Sequence, residues 1–230
     1  MLPDDIAKNI QNAVDRHFDD QIDVTAALVA FPSTRGNEAT AQDFMAEAFA
    51  ARGLSVDRWQ LDVDDFKHLP GFSPVSIPYD NSYNVVGAWR PASPNGKSLI
   101  LNGHIDVVPE GPLDMWDSPP YQPRREGDRL YGRGAGDMKA GLISCLFAYD
   151  ALATAGYQPT GNVFIQSVIE EECTGNGALA CLARGYRADA AIIPDPSGDS
   201  LTSAQTGTIW QQITVKGHPR HASRATEGLN

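Results

Sequence analysis

The chain has 230 residues, of which 42% are hydrophobic and 20% are charged, and its formal net charge is −11. These proportions are ordinary for a globular protein, so they predict one large domain or two small ones and exclude global disorder. The acidic balance, 29 Asp and Glu against 18 Lys and Arg, argues against nucleic acid or an anionic membrane as the main partner.

The cysteines and the N-terminus predict a protein of the reducing cytoplasm. Cys145, Cys173 and Cys181 are too few for a disulfide framework, and they form no Cys-x-x-Cys pair. The first residues lack the basic start and apolar stretch of a signal peptide. No apolar run approaches the roughly 18 residues of a membrane span.

The first 83 residues predict packing helices followed by a loop. Apolar residues three or four apart indicate one or two amphipathic helices in residues 4–30. The pattern returns at residues 39–52, and Gly53 is a natural C-terminal stop. Residues 61–83 are rich in Pro, Ser, Asp and Asn, which predicts an irregular covering loop.

The rest of the chain predicts buried strands alternating with helices. The predicted strands lie at residues 84–89, 98–101, 162–169 and 188–193. The predicted helices lie at residues 140–155 and 178–184. This alternation predicts an α/β fold with a mixed, mostly parallel sheet flanked by helices. The texture changes from Thr206 onward, where residues 208–216 alternate like a half-exposed strand and residues 217–230 are polar.

Four polar motifs lie at or just beyond the predicted strands, where open α/β sheets place their ligand sites. In the first motif, His104 and Asp106 are two residues apart in extended chain and therefore share a face. This arrangement suits a histidine metal ligand with a carboxylate that orients it. A core histidine with satisfied hydrogen bonds is the alternative.

The second motif is the glycine-rich segment of residues 130–141. Its spacing fits neither a dinucleotide fingerprint nor a phosphate loop, and a carboxylate there would repel phosphate. Small neighbours allow a tight bend that presents Asp137 into a cleft, as a ligand shared by two metal ions requires. The alternative is that Asp137 caps the helix predicted from Met138.

The third and fourth motifs add further carboxylates. Glu170, Glu171 and Glu172 directly follow a buried strand, where adjacent charges are costly unless a cation neutralises them. One of them can bind metal while its neighbour handles protons, although an exposed acidic loop is the alternative. Asp195 is held between two prolines and follows an apolar strand, where a simple turn residue is the alternative.

Together these residues suit a pair of zinc or other transition-metal ions better than a calcium cage. In this order, the motifs resemble those of the dinuclear zinc hydrolases that include acetylornithine deacetylase, succinyl-diaminopimelate desuccinylase, aminoacylase and glutamate carboxypeptidase. The matching segments are residues 103–109, 132–141, 170–178, 194–197 and 217–223. The resemblance extends from about the first helix to the last residue.

The resemblance implies a site with two Zn²⁺ ions, for which Co²⁺ or Mn²⁺ can substitute. Asp137 matches the bridging ligand, and His104 and Asp195 match the other protein ligands of one metal. Glu172 matches a ligand of the second metal.

The resemblance also implies the catalytic residues. Glu171 matches the general base, and Asp106 matches the acid that supports the histidine ligand. His221 matches a histidine of a lid and dimerisation domain that reaches the partner subunit's site and stabilises the substrate oxyanion. The family usually has Asp at the position of Glu170, which leaves the next two assignments intact.

The implied organisation is a zinc exopeptidase-like catalytic domain at residues 1–205 and the start of an α+β lid domain at residues 206–230. In the family the catalytic domain resumes after the lid and supplies a second histidine to the metal that Glu172 binds. We therefore expect the sequence to be the first part of a larger, homodimeric enzyme.

The implied activity is metal-dependent hydrolysis of the amide bond of a small N-acyl amino acid or related compound, as in a deacylase. Two alternatives remain open. One is a metallo-carboxypeptidase or dipeptidase, and the other is a truncated, non-catalytic fragment that lacks the last metal ligand.

Overall fold

The computed structural model describes residues 3–198, 200–204, 207, 213–214, 216–218 and 220–227. The chain forms two compact units, Met1–Pro196 and Ser197–Asn230. In the second unit, Ala222–Glu227 form a 3-10 helix. The boundary after residue 205 stays a prediction.

The helices of the first unit follow the apolar periodicity of the sequence. They are α1 (Asp4–Arg16), α2 (Phe18–Val29), α3 (Ala39–Ala50), α4 (Ala140–Thr154) and α5 (Asn176–Ala183). The first predicted stretch forms two helices because the backbone leaves helical geometry at His17, with φ −100° and ψ 6°. Among the described residues, no helix has the length and apolar character needed to cross a membrane.

The strands form a mixed sheet and a separate hairpin. They are β1 (Ser55–Gln60), β2 (Tyr83–Trp89), β3 (Leu99–His104), β4 (Arg124–Glu126), β5 (Arg129–Tyr131), β6 (Val163–Val168) and β7 (Ala190–Ile192). The sheet order is β1-β2-β6-β3-β7, and β4 pairs with β5. β6, β3 and β7 are parallel neighbours, whereas β2 is antiparallel to both β1 and β6. Only β2 therefore runs against the common direction of this sheet.

Helices cover both faces of the sheet. Successive residues of a strand point to opposite sides, and here both sides carry apolar residues that must be buried. Val85 of β2 belongs to a core cluster that contains Phe49 of α3 and Leu142 of α4. The next residue, Val86, belongs to a second cluster that contains Cys181 of α5. The predicted α/β class, with a mixed sheet flanked by helices, is confirmed.

Three parts of the fold differ from, or lie beyond, the sequence prediction. β3 continues past the apolar run that ends at Leu101, because pairing with β6 carries it to His104. β1, β4 and β5 were not predicted, since they are short and carry many exposed polar residues. Of the strand predicted at residues 208–216, only residues 213, 214 and 216 are described, so this prediction lies largely outside the described residues.

Glu38 is a fully buried carboxyl group at the start of α3. Its Oε1 accepts a hydrogen bond from the backbone N–H of Gly36 at 2.9 Å, and its Oε2 has no partner among the described residues. Burial, with the negative charges of Asp106 and Glu170 adding to it, raises the pKa of Glu38 to about 7.

Replacing Glu38 with Gln is expected to change how stability depends on pH. Between about pH 4.5 and 7 the folded chain holds a proton at Glu38 that the unfolded chain releases. This carboxyl therefore stabilises the fold at low pH, and the contribution is lost as the pH rises through 7. The free energy of unfolding of Glu38→Gln, relative to the parent, should rise by up to about 3 kcal/mol between pH 5 and pH 8.

Urea denaturation at several pH values measures this difference. Glu47→Gln, at an exposed position of the same helix, is the control and should follow the parent curve. Identical pH profiles for the parent and Glu38→Gln would contradict the assignment.

Candidate metal centre

The parallel strands bring the candidate residues to one edge of the sheet. His104 is the last residue of β3 and pairs with Val168, the last residue of β6. Glu171 and Glu172 follow the end of β6, and Asp195 follows β7. Since the carboxyl ends of parallel strands meet at one edge, residues far apart in sequence become neighbours.

The imidazole of His104 is buried and has a fixed orientation. Its Nδ1 lies 2.9 Å from the backbone carbonyl oxygen of Asp106 and 3.6 Å from Oδ1 of the same residue. A carbonyl oxygen only accepts hydrogen bonds, so Nδ1 is the protonated nitrogen. In the neutral ring, Nε2 therefore carries the free lone pair.

Carboxylates surround that second nitrogen. His104 Nε2 lies 3.0 Å from Asp137 Oδ1, 3.8 Å from Glu171 Oε2 and 3.8 Å from Asp195 Oδ1. One ligand atom each from His104, Asp137 and Glu172 lie within 4.8 Å of one another. The structure thus gathers the sequence-predicted residues of the first unit around one point.

The electrostatics of this cluster favour a cation. Burial and the charge of Asp137 raise the pKa values of both Glu172 and Asp195. Burial lowers the pKa of His104, but the charge and carbonyl group of Asp106, together with Glu171 and Asp137, outweigh it and raise the pKa. The lone pair of Nε2 and the negative carboxylate oxygens repel one another unless a proton or a metal ion lies between them.

The donor set therefore fits a divalent metal of the zinc type. One imidazole nitrogen and several carboxylate oxygens are ligands that such ions accept. The Nδ1–H···O=C bond of His104 is also the outer contact that fixes a metal-binding histidine in the correct tautomer.

Asp106 connects His104 with the turn after β6 that carries Glu171 and Glu172. It is buried, and its Oδ1 and Oδ2 accept the backbone N–H groups of Glu171 (3.3 Å) and Glu172 (3.1 Å). Burial raises the pKa of Asp106 to about 6, although the charge of His104 and these hydrogen bonds act in the opposite direction. One carboxylate thus holds the ends of two strands together.

The glycine-rich segment presents Asp137 by leaving helical geometry. Gly134 has φ +77°, which favours glycine, and Asp137 has φ −118° and ψ 102°. α4 begins only at Ala140, with Lys139 at its N-cap position. Asp137 therefore faces His104 and does not cap the helix.

A buried lysine anchors this segment from behind. Lys139 is fully buried, and its Nζ donates hydrogen bonds to the carbonyl oxygens of Leu28 (3.2 Å) and Phe31 (2.8 Å) at the end of α2. Burial lowers the pKa of Lys139 to about 7. The sequence alone did not predict this role, because Lys139 belongs to no periodic pattern that would mark it as buried.

Glu170 points away from the other two glutamates. Its buried carboxylate accepts hydrogen bonds from Arg35, from the hydroxyl of Tyr79 at 2.7 Å and from Thr174 Oγ1 at 2.9 Å. Burial raises the pKa of Glu170, but these donors outweigh it and lower the pKa below its ordinary value. Neither Arg35 nor Tyr79 was predicted from the sequence, since both lie in segments with loop composition.

His221 belongs to the second unit. Its side chain is exposed, and its Nδ1 lies 3.0 Å from Ser223 Oγ. Its proposed action on the substrate stays a prediction.

Gly141 of α4 permits the approach of the segment that carries Asp195. A Cβ atom at Gly141 would lie 2.2 Å from the carbonyl oxygen of Pro194, a contact that backbone movement alone can relieve. A side chain at this position would therefore displace the neighbouring Asp195.

Gly141→Ala is expected to lower zinc affinity by about 10-fold or more, because it moves a candidate ligand. Isothermal titration of the metal-free protein with zinc measures the change. Gly136→Ala is the control, since a Cβ atom there meets no atom within 4 Å. Equal affinities for both variants would contradict the close-approach argument.

Comparison with known sequences identifies relatives of the chain. The family model described as Peptidase family M20/M25/M40 matches residues 100–224. The chain is 34% identical, over 207 residues, to the N-formyl-4-amino-5-aminomethyl-2-methylpyrimidine deformylase of Halalkalibacterium halodurans, covering 88% of this chain and 44% of that protein. It is 29% identical, over 210 residues, to the succinyl-diaminopimelate desuccinylase of Acidovorax ebreus, covering 86% of this chain and 51% of that protein. The chain therefore spans about half the length of these relatives.

Solved structures share the fold. A di-peptidase from Saccharomyces cerevisiae superimposes with a TM-score of 0.59 at 20% identity, covering 72% of this chain and 35% of that one. An M20 family metallo-carboxypeptidase from Sulfolobus solfataricus gives a TM-score of 0.58 at 20% identity, covering 76% of this chain and 37% of that one. With the family match over more than half of its length, the chain belongs to peptidase family M20/M25/M40, a family of hydrolytic enzymes.

Proposed function

We propose that the protein hydrolyses the amide bond of a small N-acyl compound in a metal-dependent reaction. The observation that carries the proposal is the lone pair of His104 Nε2 facing Asp137, Glu171 and Asp195. Family membership and relatives named as a deformylase and a desuccinylase support the reaction class. Formyl and succinyl amides are accordingly the first substrates to test.

The residues proposed as metal ligands divide between two zinc-type ions. His104 and Asp195 would hold one ion, Glu172 would contribute to the other, and Asp137 would be shared. When bound, such ions polarise the amide carbonyl group and lower the pKa of water in the site.

Glu171 is proposed as the general base. Its carboxylate is half exposed and lies 3.8 Å from His104 Nε2. Among the described residues its side chain donates or accepts no hydrogen bond, whereas its backbone N–H is held by Asp106. A carboxylate with a fixed backbone and a free head can accept a proton from water and deliver it to the leaving amine.

Asp106 is proposed to fix the relative positions of the histidine ligand, the general base and the second ligand. By fixing His104 and the backbone of Glu171 and Glu172 together, it limits the relative motion of a ligand, the base and a second ligand. We also propose a homodimer, in which His221 of one subunit stabilises the substrate oxyanion in the other.

Glu171→Gln tests the role of the base. Because Gln keeps the shape but cannot accept the proton, turnover should fall by about 10² to 10⁴-fold while the zinc content stays unchanged. Hydrolysis of N-formyl, N-succinyl and N-acetyl amides and of dipeptides, together with metal analysis of the same samples, measures both quantities.

The adjacent variant Glu172→Gln is the matched control and should lose zinc. Unchanged turnover in Glu171→Gln would contradict the assignment. Zinc binding by the parent without hydrolysis of any substrate in the panel would instead support a non-catalytic fragment, and cleavage of dipeptides alone would support a peptidase.

Zinc affinity is expected to fall as the pH decreases. Ligand atoms bind metal only without their protons, and the pKa values of His104, Glu172 and Asp195 are all raised. Protons therefore compete with zinc at a higher pH than they would at the same groups with ordinary pKa values, and the pKa of His104 lies above its ordinary 6.5. Titration calorimetry at pH 6 and pH 8, in buffers that differ in ionisation enthalpy, should show weaker binding and more protons released at pH 6. Binding without proton release would contradict the proposed ligand set.

A further inference from the structure

We propose that Arg35 and Glu170 form a buried clamp that positions the general base and a metal ligand. Neither residue contacts the reacting groups, so both are positioning residues. The inference rests on the proposed function for the roles of Glu171 and Glu172.

The ion pair at the centre of the clamp is bidentate. Arg35 donates to both carboxylate oxygens of Glu170 through Nε and Nη2, the latter at 2.8 Å, and its Nη1 donates to Ser76 Oγ at 2.8 Å. The Glu170 side chain is 1% exposed and that of Arg35 is 25% exposed. Three of the five N–H donors of the guanidinium are thus bound to protein oxygens, which favours a structural role over a binding role.

The clamp joins three separate segments of the chain. Arg35 precedes α3, Tyr79 lies in the segment between β1 and β2, and Thr174 lies in the turn after β6. Each donates to the Glu170 carboxylate. Asn176 adds a second tie, since its Nδ2 lies 3.2 Å from the Tyr79 hydroxyl. Movement of the turn therefore requires several buried hydrogen bonds to break together.

The backbone at Glu170 explains what the clamp positions. Glu170 has φ +66°, a left-handed conformation that costs roughly 1 kcal/mol for a residue with a side chain. Its carbonyl oxygen accepts the N–H groups of Thr174 (2.9 Å) and Gly175 (2.8 Å). In this conformation the Glu170 side chain enters the interior, while the next two residues direct their N–H groups to Asp106.

Loss of the clamp would consequently affect three residues of the candidate site directly. Glu171 would lose its fixed backbone, Glu172 would lose its place in the ligand cluster, and Asp106 would lose its two amide donors. His104 would be affected in turn, since its Nδ1 lies against Asp106.

A matched ion pair provides the control. Arg184 donates from Nε and Nη2 to the carboxylate of Asp57 at 2.7 and 2.9 Å, and Tyr186 donates to the same carboxylate at 2.7 Å. This pair has the same three chemical groups but is more exposed, with 42% of the Arg184 side chain and 30% of the Asp57 side chain accessible. It joins β1 to the end of α5 and has no hydrogen bond or ion pair with the candidate ligands among the described residues. Its loss should lower stability without changing the metal site.

The test compares Arg35→Met, Arg35→Lys, the double variant Arg35→Met/Glu170→Gln, and Arg184→Met in the full 230-residue chain. Three readouts are used: zinc affinity, the visible spectrum of the Co²⁺-loaded protein, and hydrogen exchange of residues 170–175 in the metal-free protein. The double variant removes the unpaired buried charge that Arg35→Met leaves, so it keeps the test decisive if the single variant does not fold.

We expect the double variant to recover most of the melting temperature that Arg35→Met loses but to bind zinc about 10- to 100-fold more weakly than the parent. Its Co²⁺ bands should shift, and its 170–175 segment should exchange faster. Arg35→Lys keeps the positive charge but loses the bidentate geometry of the guanidinium. Its zinc affinity and exchange rate should therefore lie between those of the parent and the double variant. Arg184→Met should change the melting temperature alone.

The clamp would be overturned if the double variant kept the zinc affinity, the Co²⁺ spectrum and the hydrogen-exchange rate of the parent. The same would follow if Arg184→Met weakened zinc binding equally. If the parent itself binds no zinc, the proposed function fails, and the exchange rate of residues 170–175 still decides whether the pair holds the turn.

Discussion

The organisation of the site depends on one buried carboxylate, that of Asp106. It lies 3.6 Å from His104 Nδ1 and accepts two backbone N–H groups from the turn after β6. Removing a carboxylate from water is costly, and these three partners offset that cost only when both strand ends are in place. The fold and the site are thus coupled, because the interaction that satisfies Asp106 also sets the spacing of the histidine and the glutamates.

Three adjacent glutamates have different environments because the backbone separates them. The left-handed conformation of Glu170 sends its side chain into the interior, where Arg35 neutralises it. Glu171 and Glu172 remain half exposed at the edge of the sheet. The three like charges are therefore divided between an ion pair, which neutralises Glu170, and the candidate metal cluster at the edge of the sheet.

The residues proposed for the reaction and the segment that resembles a lid belong to different units of the chain. The residues proposed as ligands and base lie between positions 104 and 195, all within the first compact unit. His221 and the rest of the second unit belong to the segment that the resemblance identifies with a lid. Relatives that share the family differ in the acyl group that their names specify. Family membership accordingly identifies the hydrolytic chemistry more sharply than the substrate.

Apolar periodicity and motif order are local properties of a chain, so they were sufficient to predict the fold class and the four motifs at the strand ends. The sequence also placed His104, Asp137, Glu171, Glu172 and Asp195 in one site through the resemblance. The side chains that support these residues became apparent only in the folded chain. Arg35 meets Glu170 across 135 positions, and Lys139 meets Leu28 across 111, and no local pattern records such pairings. They depend on which polar groups remain unsatisfied when the sheet and its helices close around the core.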